Sequence, residues 1–68
     1  MNFPNGIYLE VLNFIRQHPK GCTAEQIAAA FPHLSSDDRG GISHRLRYEG
    51  YIERRVINSR KTVWVAIR

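Results

Sequence analysis

Cysteine is nearly missing from this sequence: Cys22 stands alone, so no disulfide within the chain can staple the fold. No orienting acid or oxyanion motif accompanies that thiol, and it reads as a small buried hydrophobe rather than a nucleophile. His18 lies four residues before Cys22, but His33 and His44 fall in two other elements, which leaves no four-ligand metal set. No Gly-rich phosphate loop follows a strand pattern, and Asp37-Asp38 suits a helix N-terminus better than a catalytic carboxylate pair. The expectation is therefore no enzyme, no metal and no cofactor. Long apolar runs are missing too, none approaching the roughly 18 residues of a membrane span. Met1-Asn2-Phe3-Pro4 lacks both the basic and the apolar region of an export signal. A reduced cysteine and no such signal point to a cytoplasmic protein without membrane contact. Repeats, low-complexity tracts and linkers are lacking as well, so residues 1–68 are expected to form one domain.

What is present is globular in composition, with 43% hydrophobic and 24% charged residues. A domain this small buries only roughly 60% of its unfolded surface, so its stability should be modest. The net charge of +4 is unevenly placed. Residues 1–38 hold two basic groups against four acidic ones, whereas residues 39–68 hold eight basic groups against Glu49 and Glu53. A basic half on a slightly acidic scaffold suits a polyanionic partner, of which nucleic acid is the commonest.

The spacing predicts three helices and then a hairpin, an α+β arrangement. Ile7, Val11, Leu12 and Ile15 recur at helical spacing after Pro4-Asn5-Gly6, and His18-Pro19 should close that helix. Lys20-Gly21-Cys22 is a short connection with room for a one-bridge third strand. Thr23 and Gln26 form a capping-box pattern for a second helix that Pro32 ends. Ser35 or Ser36 can cap a third helix, anchored inward by Ile42 and Leu46, although Gly40-Gly41 is also compatible with a later start. Gly50 suits a left-handed C-terminal position. Tyr51 to Ile57 and Thr62 to Ile67 read as strands around a four-residue turn, Asn58 to Lys61. Alternation puts Ile52 and Val56 opposite Arg55 and Ile57, and Val63, Val65 and Ile67 opposite Trp64 and Ala66. A bulge near Arg54-Arg55-Val56 would shift that register, which leaves open which arginine faces a ligand.

With Ile42 and Leu46 inward, the third helix presents Asp37, Gly40, His44, Arg47 and Tyr48 outward, Gly41 and Ser43 at the margins, and Arg39 and Arg45 nearer the core. Arg47, His44 and Ser43 are side chains of the kinds that read base edges. Helical glycines cost roughly 1 kcal/mol each, tolerable where a bulkier side chain would block close approach. The segment Ile42-Ser43-His44-Arg45-Leu46-Arg47-Tyr48-Glu49-Gly50-Tyr51-Ile52-Glu53-Arg54 resembles the recognition helix and first wing strand of winged helix-turn-helix regulators of bacteria, archaea and phages. Element order agrees along the chain, although this helix is shorter than that of many members. The resemblance implies sequence-specific duplex DNA binding in transcription regulation. Ser43, His44 and Arg47 would read bases; Arg39, Tyr48, Arg54, Arg55, Arg60 and Lys61 would meet backbone or minor groove. The competing expectation is a winged-helix module that binds protein, through Tyr48, Tyr51 or Trp64, without reading DNA. RNA binding ranks lower, because no pair of aromatics lies on an open sheet. No extra helix offers a dimer seam, so the chain should be monomeric or a weak homodimer.

Overall fold

The computed structural model describes residues 5–68. Three helices, α1 (Asn5–Arg16), α2 (Ala24–Ala30) and α3 (Ser36–Tyr48), precede two strands, β1 (Ile52–Asn58) and β2 (Lys61–Ala66). The strands form one antiparallel hairpin, giving the α+β layout of a winged helix. Of the expected start of α1, Pro4-Asn5-Gly6, Pro4 lies outside the described residues, and Asn5 and Gly6 are helical. The helix ends at Arg16, ahead of the His18-Pro19 pair. There the His18 ring donates from Nδ1 to the Phe14 carbonyl at 2.8 Å and lies against the Phe14 ring.

Helix boundaries follow local chemistry. Thr23 accepts a hydrogen bond from the Gln26 amide while the Gln26 side chain accepts from the Thr23 amide, which completes the capping box of α2. Ser35, not Ser36, caps α3, and Asp38 supplies the return contact. Each box satisfies two amides that helix geometry leaves without partners, worth about 1 kcal/mol per cap. Gly40 and Gly41 therefore lie inside α3 and do not mark its start. At the other end, the Tyr51 amide reaches the Leu46 carbonyl and the Gly50 amide reaches that of Arg47, with Gly50 at φ +83°. That left-handed residue turns the chain from α3 directly into β1.

The core joins all five elements. Val11, Leu12 and Ile15 of α1 pack with Cys22, Ile27, Phe31, Ile42, Leu46 and Ile52. Each aliphatic side chain fully buried here stabilises the fold by about 1.5–3 kcal/mol. Trp64 and Ala66 close the cluster from β2. Cys22 exchanges two backbone hydrogen bonds with Trp64, at 2.9 and 2.8 Å, forming the one-bridge third strand that the sequence allowed. On the opposite face of β2, Val63 and Val65 are buried as well, because the Gly21 backbone lies directly over them.

The hairpin departs from expectation in two ways. Its turn is Ser59-Arg60, two residues rather than four, and Asn58 Oδ1 accepts from the Arg60 amide at 2.8 Å. No non-glycine residue described has positive φ, so this is not one of the primed turns that match strand twist. The irregularity that accompanies it falls between Val56 and Asn58, beyond the arginines where it was expected.

The two left-handed glycines give a graded prediction. A Cβ on Gly50 would meet only the end of Arg68 at 4.0 Å, whereas one on Gly21 (φ +102°) would stand 2.5 Å from Val63 Cγ2. Gly50→Ala should cost about 1–2 kcal/mol from backbone conformation alone. Gly21→Ala adds steric overlap and should cost at least about 1 kcal/mol more. Urea unfolding midpoints of the two variants check this order, and equal midpoints would refute it.

Candidate nucleic-acid interface

Helix α3 presents one face to the surface. Ile42 and Leu46 are buried beneath it, while Asp37, Gly40, His44, Arg47 and Tyr48 are all exposed, as the helical arc requires. At 13 residues the helix is about 20 Å long, and a helix with side chains is about 10–12 Å across, matching a major groove about 12 Å wide. Asp37 sits in the first turn, where the positive end of the helix dipole holds its charge.

One side of α3 forms the wall of a cleft of about 360 Å³. Gly40, His44 and Arg47 line it from α3, Ala24 and Ile27 from α2, and Trp64 from β2. Thus the structure brings His44, Arg47 and Ser43, the three residues expected to read bases, into the lining of one cleft. Ser43, the third, is corrected: only 7% exposed, it lies on the cleft floor between α3 and α2 rather than at an outward margin. Arg39 is half-buried, and its guanidinium donates to the Leu34 carbonyl, locking the turn between α2 and α3. Arg45 is exposed, not near the core, and pairs with Glu49 across one helical turn. Tyr48 is 82% exposed and does not line the cleft. Trp64 packs against the core and also lines the cleft. Sequence spacing could not reveal that placement, because the Cys22 bridge sets it.

Beyond its base the hairpin projects freely, with residues 54–62 exposed without interruption. The register settles the two arginines. Arg54 faces Trp64 across the ladder and so shares the core-side, α3-side face with Ile52 and Ala66. Arg55 pairs with Val63 on the other face, where its Nε meets Glu53 Oε2 at 2.5 Å. Val56 shares the face of Ile52, as expected, but lies too far out to be covered. Arg60 occupies the turn and Lys61 begins the returning strand.

These pairings decide the local field. Glu49 and Glu53, the acidic groups of the basic half, are each held in an ion pair. Arg47, Arg54, Arg60 and Lys61 have no acidic partner among the described residues. Arg68 is occupied elsewhere, over the Tyr51 ring and against the Glu49 carbonyl. Burial pushes the Cys22 thiol up from its ordinary pKa, so it stays protonated inside the core. Among the described residues no helix is long and apolar enough to cross a membrane, and no three His, Cys, Asp or Glu side chains converge as metal ligands. No protein-family model, curated protein or solved structure matches the chain.

Gly40 carries a prediction of its own. A Cβ there would touch nothing within 4 Å, so internal packing does not require a glycine in this helix. Gly40→Ala should stabilise the free protein by roughly 0.5–1 kcal/mol through the reduced backbone entropy cost. A thermal unfolding midpoint raised by a few degrees is expected; a lowered one would show a hidden constraint.

Proposed function

We propose that the chain is a small transcription regulator of the winged helix-turn-helix kind, binding duplex DNA sequence-specifically with α3 in the major groove and the hairpin wing on backbone or minor groove. One observation carries the reading: an exposed helix stands beside a projecting hairpin, and the two carboxylates of residues 39–68, Glu49 and Glu53, are held by Arg45 and Arg55, leaving Arg47, Arg54, Arg60 and Lys61 without an ion-pair partner. Four such cations suit a phosphate lattice with one charge per about 1.7 Å of duplex axis. In this reading Arg47 and His44 meet base edges, Arg54, Arg60 and Lys61 meet phosphate or minor groove, and Arg39 and Ser43 hold the helix rather than the DNA. The protein is a binding module, not an enzyme, and needs no cofactor. A reduced Cys22 suits the cytoplasm. With α1, α2 and α3 all committed to one core, the free protein is a monomer or at most a weak homodimer.

A second reading, a protein partner, is favoured by one other feature. Tyr8, Leu9, Leu12, Leu46 and Tyr51 line a groove of about 370 Å³ between α1 and α3, and Leu9 is 55% exposed. That groove also contains Arg16, Arg45 and Glu49, the last two paired with each other, so its field is weaker than that of the α3 and wing surface.

Two variants separate the contact classes. Arg47→Ala should lose about 1–3 kcal/mol of discrimination at one base pair on a site selected from random duplex. Arg60→Ala/Lys61→Ala should weaken selected and random duplex alike and flatten the log–log salt slope by about 2. Filter binding at several salt concentrations measures both. Equal weakening of both DNAs by Arg47→Ala would remove α3 as the reading element; no effect from either variant would move the search to the Tyr8 and Leu9 groove.

A further inference from the structure

The outermost part of the hairpin carries an apolar pair that charge recognition does not use. Val56 is 66% exposed and Ile57 54% exposed, next to each other in a tip that also holds Arg60 and Lys61. Scattered exposed aliphatics are ordinary on protein surfaces. These two are adjacent, at the far end of a projecting ribbon, with Arg54 and Arg55 before them and Arg60 and Lys61 after. The ladder pairs Val56 with Thr62 and Asn58 with Lys61, so Ile57 is the bulged residue and has no partner across the hairpin. The bulge thus leaves an exposed, branched aliphatic side chain unpaired two residues before the turn.

We infer that Ile57, supported by Val56, is an apolar wedge that enters the minor groove and partly unstacks a base step, bending the duplex. This rests on the DNA-binding reading above. A minor groove about 6 Å wide does not admit a two-stranded ribbon whose strands alone are about 4.8 Å apart, so only tip side chains reach its floor. Arg60 and Lys61 then meet the phosphates on the rims, and Ile57 lies against base faces, where no hydrogen-bonding partner is needed. Pyrimidine–purine steps unstack most easily and are the favoured sites. An anionic bilayer also attracts cations beside aliphatic groups. Membrane anchoring needs more: one myristoyl chain binds only marginally, and Val56 and Ile57 together offer about seven aliphatic side-chain carbons.

The test is a duplex carrying the selected site, labelled at both ends for energy transfer, with wild type, Ile57→Ser, Val56→Ser/Ile57→Ser and Ile57→Leu. Wild type should bend the duplex by roughly 20° or more. Both serine variants should bind with an unchanged salt slope but leave the duplex straight, and Ile57→Leu should restore the bend. Their thermal midpoints should match wild type, because both side chains are already more than half exposed. Bound but unbent duplex with wild type, or full bending by Ile57→Ser, overturns the wedge and leaves DNA binding standing. No binding by wild type overturns both. Binding to phosphatidylserine vesicles that the serine variants lose, with bending intact, overturns the wedge in favour of a membrane.

Discussion

The two hydrogen bonds between Cys22 and Trp64 determine how the hairpin sits on the helices. A two-stranded hairpin is marginal on its own and needs a surface to pack against. Here Ile52, Trp64 and Ala66 provide the apolar contact, and the bridge supplies the register by tying β2 to Cys22, two residues before α2. Because Trp64 is fixed there, its ring lines the cleft beside Arg47 and His44. Gly21 completes the arrangement by letting backbone lie where a Cβ would strike Val63. The angle between wing and α3 thus depends on a glycine, a buried thiol residue and one tryptophan.

Charge is arranged on that frame by pairing as much as by number. The second half of the chain holds only two carboxylates, and both are satisfied by neighbours on their own elements, Arg45 at i,i+4 and Arg55 at i+2. Exposed pairs of this kind add little to stability, typically 0.2–1 kcal/mol. Their larger consequence is for the surface, because they leave four cations on α3 and the hairpin without an ion-pair partner among the described residues. Helix stability is given up on the same surface at Gly40, and exposed apolar area is tolerated at Val56 and Ile57. Each is a small local cost that a bound polyanion could offset.

The fold was largely legible because its signals are local. Capping boxes at Thr23 and Ser35, prolines after the first two helices and a left-handed glycine after the third act within a few residues, and the elements lie where they indicate. The hairpin was visible in outline, but its turn length and bulge depend on cross-strand pairing, which alternation alone does not encode. The site was legible where helical periodicity decides exposure, as at His44 and Arg47. Placement differed where a neighbouring element decides: Ser43, expected at an outward margin, is buried toward α2, and Arg45, expected nearer the core, is exposed beside α1. Arg39 is half-buried as expected, but its bond to the Leu34 carbonyl was not visible in the spacing. The assignment of Arg54 and Arg55 to opposite faces required the register, which no single strand contains.

The proposed DNA interface is tested most directly by amide chemical-shift mapping of the whole protein titrated with duplex. If α3 and the wing form the interface, the largest changes will fall in residues 36–48 and 54–62, with Tyr8 and Leu9 of α1 nearly unmoved. Changes confined to Tyr8, Leu9, Leu12 and Tyr51, or none at saturating duplex and low salt, would contradict it.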